Sequence, residues 1–419
     1  MSEIELFYEE KKVALINFDG ETYTLEYDPL WILDGFEISP ALGFNKKIES
    51  LSIKYFLDNL LPEGEALEDL VSHYKISKQN IIRLTELVGE DAAGAIKFTK
   101  ALKSGSFRPL SEKELAKRLD ERSTKSLIIW DNKLRLSAAG VQDKLSVTIL
   151  DEQMGFGDGD IASTHILKFQ KENNKLKHLV LNEFYCLGLA KKIGLGVCDA
   201  QFKRVGQHPV LFVKRFDREV ISSKKISRKH VLDGCQALDL KKTYKYEKNQ
   251  GHGGDADNIR DGVSFKKLLD FSYETVVPGI TITKVLKWMV FNFAISNFDA
   301  HGKNISFFVS KKGIELAPFY DLICISPYDL HDEFAMGIDG EFELSEIGAF
   351  EFIEFCKENE INLKLLKKVM KDELKKIITS LDLVELPKVN SDEAIFIEEV
   401  KSIIKVNVEI LRDIEANLN

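Results

Sequence analysis

The sequence predicts an α+β chain in two lobes, with a mixed α/β N-terminal half carrying a cap subdomain and a mostly helical C-terminal half. Three observations predict it. At 419 residues the chain is too long for one ordinary core. Short β-branched and aromatic runs crowd the first half. From about residue 226 onward, apolar positions recur mostly at helical spacing. The expected divisions are 1–105 for the cap, 106–220 for a sheet-based second lobe and 221–419 for the helical lobe.

Taken in order, Val13, Leu15, Tyr23, Leu25 and Tyr27 alternate with polar neighbours around an Asp19-Gly20 turn, which predicts a hairpin. Helices are expected around Ile53–Leu61, broken by the Pro62-Glu63-Gly64 run, and over Ile81–Val88, with Ser77 as candidate N-cap. Gly89 and Gly94 have phosphate-loop spacing. Ala95 and Ile96 stand where Lys and Ser/Thr are needed, so a tight turn before a strand is expected instead. Strands are expected at Ser126–Trp130, Leu145–Leu150, His165–Phe169 and Pro209–Phe216, with a helix over Glu183–Lys192. Val285–Ser296 reads as a buried helix, 351–418 as amphipathic helices, and Lys241–Asn258 as the clearest long loop. No internal repeat or low-complexity tract interrupts this order.

Composition narrows the function. Lys and Arg number 58 against 67 Asp and Glu, a net charge of -9, which argues against nucleic acid as the primary partner. The five cysteines (Cys186, Cys198, Cys235, Cys324, Cys356) are scattered without a C-x-x-C pair, as buried thiols of a reducing cytoplasm would be. The acidic start lacks the pattern of a signal peptide. Val285–Ile295, interrupted by Lys287 and Asn292, is far shorter than the roughly 20 residues of a membrane span. A soluble, cytoplasmic protein without membrane contact is expected.

The chemistry concentrates in the C-terminal half. Asp299 stands five positions before Asn304, immediately upstream of a strand-like run, the spacing of a protein-kinase catalytic loop. There the Asp accepts the hydroxyl proton and the Asn binds Mg²⁺. A turn at Ser310–Gly313 then returns the chain to Tyr320-Asp321, the place of the second metal-binding Asp. Leu322-Ile323 replace the usual Phe-Gly, so a divergent kinase-like architecture is indicated. Upstream, the small residues between Ser137 and Lys144 suit backbone contact with phosphate. Lys168 ends an extended run where a phosphate-contacting lysine would sit, and Glu183 follows as its candidate partner. Phe212–Arg218 forms a candidate hinge for adenine, through backbone groups. Lys303 is placed to neutralise transferring charge, and His301 to brace the loop. His252, Asp255 and Asp257 read as a polar loop rather than a metal cluster.

These residues together resemble the HipA family of bacterial serine/threonine-protein kinase toxins. The resemblance rests on Ser137–Lys144, Thr164–Lys168, Arg215–Arg218, Cys235-Gln236, Asp299–Asn304 and Pro318–Asp321, with Leu61–Glu65 and Gly89–Ala95 matching the first subdomain. It thins after about residue 350. It implies ATP and Mg²⁺ as cofactors, Asp299 as base, and Asn304 and Asp321 as metal ligands. Lys168 would contact phosphate, and Ala139, Gly140, Val141, Gln142, Asp143 and Lys144 would form the nucleotide loop. Lys214, Arg215, Phe216, His301, Gly302, Tyr320 and Asp321 would complete the nucleotide site, with Lys303 and Asn304 beside the base. Ser137 would be an autophosphorylation site whose modification ejects that loop. The implied partners are a helix-turn-helix antitoxin dimer, DNA only through that complex, and an aminoacyl-tRNA synthetase, glutamyl type first, as substrate. Lys214 departs from the best-known member, which carries an acid there, so only a backbone adenine contact survives. His331–Gly340 matches the activation segment loosely. A catalytically silent co-repressor and a small-molecule phosphotransferase stay open as alternatives, although a silent protein has no physical reason to keep Lys168, Asp299, Asn304 and Asp321 together.

Overall fold

Alternation starts earlier than the expected hairpin. Ile4 and Leu6 are buried between more exposed neighbours, and Ser2–Tyr8 is itself a strand in the computed structural model. The structure describes residues 2–136, 144–170, 174–249, 259–328, 330 and 332–419. Among them the chain groups into two units. One holds Met1–Gln170, Asp199–Lys242 and Phe307–Gly313; the other holds Lys171–Cys198, Thr243–Ser306 and Ile314–Asn419. The expected cap and sheet-based lobe both fall in the first unit. The chain passes from one unit to the other more than once.

In the first unit, Ser2–Tyr8 pairs antiparallel with Lys11–Phe18 and Ile96–Phe98, and Tyr23–Tyr27 forms the far edge of this four-stranded sheet. Helices Ser50–Asp58 and Ile81–Val88 bury Ile53, Phe56, Leu57, Ile81, Ile82, Leu84 and Val88. Asn80, not Ser77, caps the second: its side chain accepts from Arg83 N at 3.1 Å, whereas Ser77 reaches only Gln79 N. An N-cap must directly precede the first helical residue for its oxygen to meet N2 or N3. Gly89–Gly94 forms a turn leading into the strand Ile96–Phe98, as expected.

A second sheet has six strands in the order Ala200–Val205, His208–Lys214, His165–Phe169, Lys144–Leu150, Gln153–Asp158 and Ser106–Pro109. Its period-two pattern sorts two chemistries onto two faces. Leu145, Val147, Leu167 and Phe169 join Trp130, Phe156 and the helix residues Leu115 and Leu119 in one core. Lys144, Ser146 and Lys168 alternate with those core residues, and Lys168 lies directly opposite Lys144 in register. The expected strand at Ser126–Trp130 shrinks to Ile129–Trp130, because Trp130 turns inward and donates Nε1–H to Leu127 O at 2.8 Å.

The second unit is helical, with Leu179–Lys192, Phe265–Ser272, Pro278–Ala294, Ala349–Glu358, Leu363–Ser380 and Ser391–Asn417. Leu179–Lys192 begins a turn before Glu183. Its N-cap, His178, sits at φ +57 and makes no side-chain cap bond, so no capping signal marks the true start. Pro278–Ala294 is packed by Leu363–Ser380 and Ser391–Asn417, and its Val285, Leu286, Trp288, Phe291 and Phe293 are fully or almost fully buried. Trp288 stacks on Phe319 with ring centroids 5.6 Å apart and planes within 9°. All five cysteines are buried, and none forms a disulfide among the described residues. Among the described residues no helix is long and apolar enough to cross a membrane.

Candidate active site

The end of Pro278–Ala294 launches the loop that carries Asp299. Two buried amides fix its departure. Asn407, from the last helix, donates to Ala294 O at 3.1 Å and to Ser296 Oγ at 2.7 Å. Asn297 donates to Asn292 Oδ1 at 2.8 Å and to Asp321 O at 3.2 Å, tying the Asp299 loop to the Asp321 segment within the second unit. Asp321 itself has φ +53, a left-handed conformation uncommon for a residue other than glycine, asparagine or aspartate.

Inside the loop every bond sets a direction. Asn304 Nδ2 donates to Asp299 O at 2.8 Å, a bond that does not use the amide oxygen. His301 Nδ1 accepts from Lys303 N at 3.3 Å and caps the short Gly302–Asn304 turn, a bracing geometry. Tyr320 hydroxyl donates to Lys303 O at 2.8 Å and shares a 2.6 Å bond with Ser306 Oγ. Lys303 is buried, with 8% of its surface exposed. Gly302 leaves no room for a side chain: a Cβ there would lie 2.4 Å from Val263 Cγ2. Gly302→Ala is therefore expected to displace the loop, costing about 1–3 kcal/mol of stability and most of the activity. Thermal unfolding beside a phosphoryl-transfer assay checks both, and an unshifted melting temperature would contradict it.

The donor set fits the expected metal. Asn304 supplies an amide oxygen and Asp321 a carboxylate, both hard oxygens of the kind Mg²⁺ takes, with its remaining positions left to phosphates and water. No group of three or more His, Cys, Asp or Glu that could hold a metal occurs among the described residues. His252, Asp255 and Asp257 lie outside the described residues, as does His331.

Sequence reading missed one residue of this loop's surroundings. Tyr246 hydroxyl donates to Asp299 Oδ1 at 2.5 Å, and its ring meets His301 edge-on at 5.1 Å. Nothing in the local Thr-Tyr-Lys-Tyr run distinguishes it, since the pairing spans 53 positions of sequence.

The remaining expected residues lie in the first unit. Lys144 and Lys168 are both buried, at 6% and 3% exposure. Like charges directly opposite across a strand pair are unfavourable by themselves, and an anion beside them relieves the repulsion. His165, three positions before Lys168, is pushed down to about 4 by burial, then by Lys214 and Lys203, and is neutral at pH 7. Ser137, Ala139, Gly140, Val141, Gln142 and Asp143 lie outside the described residues.

The arginine side chains of the candidate hinge are taken up by the fold. Lys214 N donates to Asp199 O at 2.8 Å and Arg215 N to Thr164 O at 2.9 Å, so both amides are engaged in the fold. The Arg215 guanidinium is buried against Asp217, Ser163 Oγ and the carbonyls of Asp91 and Ala92. Arg218 donates to Asp217, Ala92 O and Gly94 O, and Gly94 N donates to Asp217 Oδ2 at 2.9 Å. Arg228 adds bonds to Glu90 O and Gly159 O. The Gly89–Gly94 turn is thus clamped by three arginines. Burial alone pushes the Asp217 carboxyl up; the Arg215 and Arg218 guanidiniums overcome this and hold it well below the usual carboxylate range.

Similarity to known proteins spans nearly the whole chain. The family description "HipA N-terminal domain" matches residues 4–99, and "HipA-like C-terminal domain" matches 136–383. The serine/threonine-protein kinase toxin HipA of Shewanella oneidensis is 34% identical over 412 residues, covering 95% of this chain and 93% of that one. A solved complex of HipA, HipB and operator DNA from Shewanella oneidensis MR-1 superposes with a TM-score of 0.91 at 33% identity over 99% of both chains. The putative kinase Y4mE of Sinorhizobium fredii is 29% identical over 356 residues, or 82% of each chain.

Proposed function

The chain belongs to the HipA family of serine/threonine-protein kinase toxins, and from that premise we propose that it is the cytoplasmic toxin of a type II toxin–antitoxin module, transferring phosphate from ATP to a serine of an aminoacyl-tRNA synthetase. The glutamyl enzyme is the first candidate substrate, and depletion of charged tRNA with growth arrest is the consequence. The observation that supports this reading best is the Asn304–Asp299 bond, which sets a carboxylate and an amide oxygen in one short loop tied to Asp321.

In this reading Asp299 accepts the proton of the acceptor hydroxyl as its oxygen bonds to the γ-phosphorus, and the bond to the β-phosphate oxygen breaks to release ADP. Asn304 and Asp321 would hold Mg²⁺, which when bound neutralises phosphate charge. Lys144 and Lys168 supply buried cations for phosphate oxygens, and Lys303 a further one near the base. His301, Gly302 and Tyr320 keep the loop in shape, and Lys214 to Phe216 contribute backbone to the nucleotide site. A helix-turn-helix antitoxin dimer, like the HipB partner in the Shewanella complex, would restrain the kinase and carry it to DNA.

Two measurements test the reading. Incubating the chain with γ-labelled MgATP and a cell lysate should label one dominant protein, identified by mass spectrometry as an aminoacyl-tRNA synthetase; label on small molecules alone would favour a small-molecule phosphotransferase. The same incubation should place phosphate on Ser137. A phosphoserine adds about -1.5 to -2 charge, which repels ATP phosphates, so the modified chain should bind nucleotide far more weakly. Undiminished nucleotide binding after full modification would remove the ejection mechanism.

A further inference from the structure

Asp299 does not present its two carboxylate oxygens equally. Oδ1 accepts the Tyr246 hydroxyl at 2.5 Å and lies 3.9 Å from His301 Nε2. Oδ2 accepts no hydrogen bond among the described residues, and the side chain is 48% exposed. One oxygen is tethered to the protein and the other is offered outward.

The tether is itself built onto the catalytic loop. Residues 244–247 run as a strap whose backbone is pinned on both sides of Tyr246. Lys245 O accepts from Gly302 N at 2.8 Å, three residues after Asp299, and Glu247 N donates to Ala335 O at 2.9 Å. Tyr244 O takes Val263 N at 2.8 Å and Glu247 O takes Gly262 N at 3.3 Å. Glu247 Oε2 adds a 3.0 Å bond from Gly337 N. The strap passes residue 262 only because it is glycine, since a Cβ there would lie 1.7 Å from the Tyr246 carbonyl oxygen. With the ring against His301 and Lys245 Nζ 5.6 Å from its centroid, the hydroxyl has little freedom.

We propose that Tyr246 is the positioning residue of this kinase: by holding Oδ1, it fixes the Asp299 carboxylate plane so that Oδ2 receives the acceptor's proton. The inference rests on the kinase reading above. A carboxylate on a half-exposed aspartate otherwise rotates about χ2, a broad torsion, and only a fraction of its orientations face an incoming hydroxyl. Holding it in one orientation is the positioning contribution that phosphoryl transfer relies on. The Tyr246 hydroxyl meets neither ATP nor acceptor in this role and gives up no proton.

Tyr246→Phe tests it, because the substitution removes one oxygen and keeps the ring against His301. The probes are γ-labelled MgATP with the chain itself and dephosphorylated casein as acceptors, and nucleotide affinity by calorimetry with a non-hydrolysable ATP analogue and Mg²⁺. The expected result is a fall in kcat of about ten- to a hundredfold, the scale of one hydrogen bond to a charged group, with the nucleotide Kd and melting temperature unchanged. A merely structural tyrosine gives a different signature. Losing it would disturb the whole loop, Asn304 included, so that rate and nucleotide affinity fall together, and that outcome overturns the proposal. An unchanged or raised kcat overturns it too, the latter because Tyr246 would then be an occupant that substrate displaces. If the wild-type chain transfers no phosphate to either acceptor, the kinase reading fails and this inference with it; an active wild type with an equally active Tyr246→Phe sinks this inference alone.

Discussion

Asp299→Asn is expected to lower phosphoryl transfer by about a hundred- to ten-thousandfold, the usual worth of a positioned general base. The substitution is nearly isosteric. Asn304 bonds the backbone carbonyl of residue 299, not its side chain, so the loop keeps its principal internal tie. An amide oxygen can still accept from Tyr246, which preserves the side chain's orientation. What disappears is the ability to take a proton, together with one negative charge beside the phosphates. Single-turnover transfer from labelled MgATP measures the rate, and induced expression measures growth. If Asp299→Asn arrested growth as the unaltered chain does, toxicity would not come from phosphoryl transfer, and a binding role would replace the kinase reading.

Asp217→Ala is expected to have the largest effect on stability. Three guanidiniums, Arg215, Arg218 and Arg228, are buried around Asp217 and Asp91, and the Asp91 side chain is 31% exposed. Removing Asp217 leaves buried positive charge facing mostly backbone carbonyls. Breaking a buried pair from one side costs about 3–5 kcal/mol. Arg218 is already pushed down to about 9 by burial and then by the like charge of Arg215, so it has little further reserve. Calorimetry should show a transition moved to markedly lower temperature, and a shift worth less than about 1 kcal/mol, no more than an exposed pair, would show that the network carries little. The pH dependence has a definite sign. Because the folded carboxyl of Asp217 is depressed, its contribution is complete above the unfolded value of about 3.9 and is lost only as pH falls through the folded value, in strong acid. The variant should therefore lose stability throughout the neutral range.

What the sequence revealed and what it hid divide along physical lines. The Asp299–Asn304 loop and the return to Asp321 were legible because their spacing is local, and the short turns between them leave few alternative paths. The burial of most of Val285–Ile295 was legible from its density of apolar residues, broken only by Lys287 and Asn292. Arg215–Arg218 was legible as an unusual string, but the grip of its guanidiniums on a turn more than a hundred positions upstream was not. Which backbone carbonyls face a guanidinium is a property of the assembled sheets. Tyr246 was hidden for the same reason, one aromatic among several in a polar stretch, distinguished only by the aspartate that folding brings to it. Ser2–Tyr8 was missed although Ile4 and Leu6 alternate visibly, because the turn signal at Asp19-Gly20 drew the reading to the next two strands.

The arginine clamp also bears on how this protein can be cut. Family boundaries place residues 4–99 in one domain and 136–383 in another, which invites the excision of a kinase-only fragment. Yet the carbonyls of Glu90, Asp91, Ala92 and Gly94 that receive Arg215, Arg218 and Arg228 all lie before residue 99. A fragment starting at residue 100 would keep the three guanidiniums and lose those acceptors, together with the Asp91 carboxylate. Its exposed seam would be cationic and unsatisfied, a surface prone to capture nucleic acid or to aggregate during purification. Residues 4–99 and the part of the second family segment that carries these arginines share one unit, and a gene fusion or split reporter that respects the chemistry would divide the chain elsewhere.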